Sequence, residues 1–279
     1  MTEPIASGDT SQCLLIRGIP RSGTSYLCNR LHRYDDCVAL NEPQEMITCI
    51  RQPADGGGIV DFFARTRSSI LAGASVMNKM HDGEVAEDTW IDENLVAYTP
   101  RVISPTFLLA AKLTVVVLNN LDRIRAEAPD LRIVACVRDP YDTIASWKMT
   151  FPHLANANAL RGLGPSSALF ADAALTNPEL ATISRTRDVS ELRAAWWASL
   201  AGIILRWRDR GLAVVRYEDL VERPVDALEA VVGTLRPGRL TVPMEPSQVR
   251  SRREHLNAAD CLWIDRYCRK PAAALGLGS

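Results

Sequence analysis

Residues 18–25 read Gly-Ile-Pro-Arg-Ser-Gly-Thr-Ser: two glycines, one cation and a run of hydroxyls in a short stretch. Backbone amides at such a turn into a helix face an anion, and the helix dipole adds to the attraction. Against the pattern GxxxxGK[ST], Gly18, Gly23 and Ser25 fit, while Thr24 stands where a lysine belongs. A nucleotide kinase needs that lysine on its β- and γ-phosphates, with a hydroxyl and a carboxylate on Mg²⁺. Arg21 is the cation inside the loop, so the loop can grip a phosphate-like group without a metal. Taken alone, it is equally a strand-to-helix turn that binds nothing. A second candidate is Arg138 with Ser146 eight positions on. An arginine and a hydroxyl make a compact phosphate pocket; the alternative is a strand-end arginine paired with Asp139 or Asp142. Together the two sites point to a nucleotide carrying two separate anionic groups.

Both sites depend on strands that end at one edge. Residues 13–18 (CLLIRG) are an apolar run closed by Gly and Pro, which predicts a buried strand. A helix is expected over 24–34 and a short second strand over 37–40. Residues 107–112 (FLLAAK) predict a third strand and 115–128 a helix. Residues 132–137 (RIVACV) predict a fourth strand, followed by a helix over 142–150. A long helix over 189–210 holds Trp196, Trp197 and Trp207, residues 212–216 (LAVVR) form a fifth strand, and a last helix runs from 255 to 269. Apolar strands without alternation, separated by helices, indicate a parallel sheet covered on both faces. The expected fold is therefore α/β, a three-layer α/β/α arrangement around a central parallel sheet of five strands. Ligands of such sheets bind beyond the carboxyl ends of the strands, so the loops after Gly18, Leu40, Lys112, Val137 and Arg216 matter most.

The remaining segments are less regular. Residues 53–58 (PADGGG) read as a loop. Residues 152–187, rich in Ala, Asn, Gly, Pro and Ser, read as a mobile cover or a run of short helices. The chain reads as one domain, 1–279, with insertions at 43–106 and 150–187 that cover a substrate. Residues 81–100 carry Asp82, Glu84, Glu87, Asp88, Asp92 and Glu93 without Lys or Arg. Such a run is more often a solvated flap than a face for a cationic acceptor.

Composition narrows the function classes. The 279 residues include 32 basic and 33 acidic side chains, a formal charge of −1, so no global basic field draws nucleic acid. With 47% hydrophobic and 23% charged residues, the chain is ordinary globular material. The first residues carry Glu3 and Asp9 and lack a basic n-region with an apolar core, unlike a secretory signal. The apolar runs near 107–118 and 194–205 are interrupted by Lys112 or too short to span a bilayer. The seven cysteines are scattered, with no CxxC pair or Cys/His cluster, so reduced thiols in a core are expected and no metal site. A cytoplasmic location is expected, with no membrane or nucleic-acid partner. It favours a small molecule or a biosynthetic intermediate as acceptor.

These motifs together resemble the sulfotransferase family that uses 3′-phosphoadenosine 5′-phosphosulfate (PAPS), a P-loop type of nucleotide-binding fold. That family's first loop reads PKSGT or PRSGT; here residues 20–24 are Pro-Arg-Ser-Gly-Thr, the arginine form typical of tyrosylprotein and many bacterial enzymes. Its second motif is an Arg after a strand with a Ser eight positions on, as at Arg138 and Ser146. A third match is Tyr217-Glu-Asp-Leu after the fifth strand. The resemblance implies that Arg21, Ser22, Gly23, Thr24 and Ser25 hold the 5′-phosphosulfate, and that Arg138 and Ser146 hold the 3′-phosphate. Tyr217 would lie near the adenine, or simply pack at the sheet edge. Lys112 falls where the family has a strand-end lysine near the transferred group; the alternative is an exposed strand end. The family's C-terminal basic segment has no clean counterpart, and the run Arg250, Arg252 and Arg253 reads as a solvated helix start.

One branch of the family uses a His two residues after the strand-end lysine, where this chain has Thr114. Another branch uses a Glu downstream of the loop, and Glu42 sits at the matching spacing from Arg21. Its alternative is a carboxylate ahead of a helix beginning near Pro43, with Glu45 as a neighbouring candidate. His81, in Asn78-Lys79-Met80-His81, is the rival base. The implied reaction moves a sulfuryl group to a hydroxyl or amine, with Glu42 as base, Arg21 and Lys112 against the leaving phosphate, no metal, and 3′,5′-bisphosphoadenosine as product. A small-metabolite kinase and a non-catalytic nucleotide binder are the competing classes.

Overall fold

The computed structural model describes residues 9–51, 58–87, 95–113, 120–150 and 188–278. Its strands are β1 (Cys13–Gly18), β2 (Cys37–Asn41), β3 (Val76–His81), β4 (Glu84–Val85), β5 (Leu95–Tyr98), β6 (Leu108–Lys112), β7 (Arg132–Val137) and β8 (Ala213–Arg216). Its helices are α1 (Thr24–His32), α2 (Gln44–Arg51), α3 (Ile59–Leu71), α4 (Leu121–Glu127), α5 (Pro140–Thr150), α6 (Val189–Arg208), α7 (Tyr217–Glu222), α8 (Pro224–Val232) and α9 (Ala258–Ala274).

The main sheet has the order β2-β6-β1-β7-β8, with every pair parallel. β1, β2 and β6 are buried at every position, as strands without alternation must be when both faces are covered. Alternate residues feed two cores. Leu15, Leu109 and Ile133 face α3, α5, α6 and α9 and join Phe62, Trp147, Trp197 and Cys268. Leu14, Ile16 and Val134 face α1 and α8 and join Leu27, Leu31 and Leu228. This is the expected three-layer arrangement.

Local chemistry fixes the long C-terminal helices. The Asp188 side chain caps α6, accepting from the amides of Ser190 at 2.8 Å and Glu191 at 3.3 Å. Asn257 and Asp260 form a capping box at the start of α9. The same Asp260 carboxylate meets Lys148 of α5 and Arg193 of α6, so three helices meet at one buried anion.

Two differences from the sequence reading stand out. The first is a second sheet, antiparallel, in the order β4-β3-β5, within a segment read only as an insertion. Its strands escape the period-two test because the inward positions of β3 are Asn78 and Met80, one of them polar. The second is that the final helix begins at Ala258, after a separate 3₁₀ turn at Arg253–His255. Residues 53–57 of the expected loop, the start of the helix at 115, part of the acidic run and the cover at 152–187 lie outside the described residues.

Candidate active site

The loop after β1 is held from three sides. A Cβ on Gly18 would lie 2.2 Å from the carbonyl oxygen of Cys136, so only glycine lets β1 approach β7 there. Gly23 caps α1 with φ of 87°, and a Cβ there would lie 2.4 Å from Cδ2 of Tyr217. Ser22 is fully buried, and its hydroxyl meets the carbonyls of Ile19 at 2.5 Å and Cys136 at 2.7 Å. The Ser22 hydroxyl therefore braces the loop. From α5, Trp147 Nε1 donates to the Pro20 carbonyl at 2.9 Å. The first turn of α1 has no acidic residue and no side-chain cap. Its leading amides have no carbonyl within the helix to meet, and their dipoles favour an anion.

Arg21 has φ of 67°, a left-handed backbone that costs a non-glycine residue roughly 1–3 kcal/mol. That conformation brings Arg21 Nε to 3.1 Å from Ser146 Oγ. Ser146 lies in α5, so the two anion motifs read separately in the sequence meet through one hydrogen bond.

Arg138 is 6% exposed and neither of its suggested carboxylate partners takes it. Its guanidinium carbon sits 4.4 Å from the centre of the Tyr217 ring. Nη2 donates to the Arg250 carbonyl at 3.3 Å, and the buried Nε has no hydrogen-bond partner. Burial pulls the Arg138 pKa below that of an ordinary guanidinium, with Tyr217, Asp142 and Glu218 pulling it back up. Asp142 instead accepts from Ser251 Oγ at 3.2 Å and from the Arg252 amide at 2.7 Å, and Asp139 pairs with Arg253 at 3.0 Å. The run at 250–253 thus lies beside Arg138, while Arg250 and Arg253 stay exposed at the start of the 3₁₀ turn, in keeping with its reading as a solvated helix start. Tyr217 covers Gly23 and Arg138 at once and meets Tyr26 edge-on, with ring centres 6.0 Å apart.

Glu42 follows β2 and also has a positive φ, 58°. Its amide donates to the Lys112 carbonyl at 2.9 Å, which locks it to the end of β6. Its carboxylate is held at both oxygens: Lys112 Nζ lies 2.6 Å from Oε1 and Lys79 Nζ lies 2.5 Å from Oε2. Burial alone would raise the pKa of this carboxyl, but Lys112 and Lys79 outweigh it and bring it down to about 2. Lys112 is 2% exposed, which overturns its reading as an exposed strand end. Burial also lowers its own pKa, with Glu42 opposing.

Lys79 is the residue that the sequence reading missed. It stands two positions before His81, in the tetrapeptide singled out for the histidine. His81 itself is more than half exposed at the end of β3 and lies 3.4 Å from Asp82. Asn78 explains how Lys79 reaches so far. The Asn78 side chain accepts from the Asn41 amide at 2.7 Å and donates to the Ala39 carbonyl at 2.8 Å, tying β3 to the end of β2. Glu45 is exposed on α2 and stands apart from this cluster. Of the acidic run, Glu84 and Glu87 pair with Arg33 and Arg30 but stay about half exposed, and Asp82 is exposed, so its described part is solvated.

The carboxyl ends of β2, β6, β1 and β7 therefore carry, side by side, a clamped carboxylate, a buried lysine, an amide-lined loop and an arginine with a donor to spare. Anions and a proton acceptor can be served at one edge. A family model described as the sulfotransferase family matches residues 14–236 of this chain, and the chain belongs to that family. The nodulation protein NoeE of Sinorhizobium fredii (strain NBRC 101917 / NGR234) is 27% identical over 231 residues, covering 80% of this chain and 49% of NoeE. The chain thus spans about half the length of that relative. Among solved structures, a sulfotransferase from Alicyclobacillus acidocaldarius aligns over 95% of this chain and 96% of its own, at 16% identity and a TM-score of 0.46. The sulfotransferase domain from the curacin biosynthetic pathway aligns over 95% and 97%, at 14% identity and a TM-score of 0.41.

Proposed function

We propose that this chain moves a sulfuryl group from PAPS to a hydroxyl, or an amine, of a small-molecule or biosynthetic-intermediate acceptor. The observation that supports this most is the hydrogen bond from Arg21 to Ser146, at 3.1 Å, because it brings both anion motifs within reach of one nucleotide. In this reading the loop amides, Arg21, Thr24 and Ser25 take the 5′-phosphosulfate. Arg138 and Ser146 take the 3′-phosphate, for which the unpartnered Arg138 Nε is a fitting donor. Tyr217 forms the wall between the two ends.

Transfer is an in-line displacement. Glu42 takes the proton of the acceptor hydroxyl as its oxygen attacks sulfur. The new S–O bond forms while the bond from sulfur to the 5′-phosphate oxygen breaks. Arg21, the loop amides and Lys112 then neutralise the charge that collects on the departing phosphate. The product nucleotide is 3′,5′-bisphosphoadenosine, and no step calls on a metal. The whole of 1–279 acts as one domain, in the cytoplasm, with 43–106 and 150–187 enclosing the acceptor.

Calorimetric titration with 3′,5′-bisphosphoadenosine and with ATP·Mg²⁺ tests the donor. Tight binding of the bisphosphate and weak binding of ATP·Mg²⁺ is the expected outcome. The reverse preference would transfer the site to the kinase reading, in which Thr24 stands in for the missing lysine.

A further inference from the structure

A general base works best when its pKa lies near the working pH. Glu42 is held far from that condition, with a lysine on each oxygen. The two lysines are not alike. Lys112 is 2% exposed, belongs to the central sheet, and its own carbonyl anchors the Glu42 amide. Lys79 is partly exposed and comes from β3, outside that sheet, within the segment read as covering the acceptor. It is kept in place by Asn78, whose side chain also accepts from the Lys79 amide at 3.0 Å. Among the described residues, other titratable groups near this cluster are Cys28 on α1, Cys136 on β7 and Tyr98 on β5 beside Asn78; burial drives up the pKa of each, so they stay neutral.

We propose that Lys79 is a guard on the base: its ammonium occupies Glu42 Oε2 until the acceptor takes that place, so that bound donor is not lost to water. This rests on the reading of Glu42 as base and of PAPS as donor. The reaction being suppressed is hydrolysis. A water oxygen would attack sulfur and give its proton to Glu42, and the bond from sulfur to the 5′-phosphate oxygen would break, releasing sulfate and 3′,5′-bisphosphoadenosine. With an ammonium on each oxygen, a water must compete with two charged donors for the carboxylate's lone pairs, and it meets a weakened base. An acceptor that enters against β3 displaces the ammonium and brings its hydroxyl to the vacated oxygen. Lys79 is in this account a positioning residue, acting through Glu42.

The test needs no acceptor. PAPS alone is the probe, and release of inorganic sulfate is the readout. Lys79→Gln is expected to hydrolyse PAPS at least about tenfold faster than the wild type, a part of the 10²–10⁴ that a positioned base supplies. Lys79→Arg, which keeps the charge on Oε2, is expected to stay at the wild-type rate. The double variant Lys79→Gln/Glu42→Gln is expected to fall back to it. Unchanged or slower hydrolysis in Lys79→Gln, with folding confirmed by its melting curve, overturns the guard. Should Lys79→Gln fold poorly, Lys79→Met is measured in its place, with the same rise expected and the same lack of a rise overturning the guard. Titration with 3′,5′-bisphosphoadenosine separates the two levels. Variants that bind it without faster hydrolysis sink the guard alone, whereas a wild type that fails to bind it sinks the donor reading beneath.

Discussion

The donor side and the acceptor side of this sheet edge treat buried charge in opposite ways. At the end of β7 the cation has capacity to spare: Arg138 is almost fully buried, and among the described residues its Nε donor meets nothing. At the ends of β2 and β6 the charges are closed on one another, with Glu42 taken at both oxygens. An unsatisfied buried donor costs about 1–3 kcal/mol, so the donor side stores a preference for an anion. The acceptor side stores none, and anything that binds there must first undo a contact.

That contrast can be broken most sharply at Glu42. Glu42→Gln should lose turnover by about 10² or more while its affinity for 3′,5′-bisphosphoadenosine stays put. Parallel measurement of rate and calorimetric affinity checks this, and unchanged turnover removes Glu42 from the chemistry. The mirror experiment is Arg138→Gln. It should weaken bisphosphate binding by roughly ten- to a hundredfold, the worth of one or two charge-assisted hydrogen bonds. A loss of turnover at saturating donor without any loss of affinity would contradict the assignment.

A smaller effect is expected at Arg17. Lys112 and Ile16 are register partners on adjacent strands, so alternation turns Arg17 to the opposite face, with Leu15 and Ala135. Arg17 is fully buried, and none of its guanidinium nitrogens has a partner. Replacing such a charge by an apolar side chain is often neutral or stabilising. Arg17→Met should therefore melt no lower than the wild type, and higher by about 2–4 °C for each kcal/mol gained. A clear drop would mean that the guanidinium has work the fold does not reveal.

The smallest effect is the pH dependence of the Glu42 clamp. Its folded pKa of about 2 lies below the ordinary 4.5. Its contribution to stability is thus present in full above the ordinary value and drains away as pH falls from there towards the folded value. The gap in melting temperature between wild type and Glu42→Gln should accordingly narrow as the buffer is taken down through this window. A gap that stays constant or widens would mean that the clamp does not set the acid stability.

Most of the main sheet is legible in the sequence because its strands are unbroken apolar runs. Residues 13–18 and 132–137 carry the same bounds in the pattern and in the fold. Arg138 is legible as a cation at a strand end, and Lys112 as a lysine that closes another strand. Lys79 is not, because its meaning depends on Asn78 tying β3 to β2, a contact between residues far apart in the chain. A polar residue at a buried strand position also hides the strand itself from pattern reading. Trp147 escapes for a related reason: nothing in a helical tryptophan says that its indole nitrogen holds the Pro20 carbonyl of a distant loop.

The ring of Tyr217 carries a last lesson. The glycine-rich stretch owes its shape to an aromatic lid contributed near the other end of the chain, pressed on Gly23 and Arg138 together. A fragment ending before β8 would keep every letter of that stretch and lose its mould. Grafting the stretch into another scaffold would fail for want of the same ring. Recognition by this turn is a property of tertiary assembly, and the short string that advertises it is only its local half.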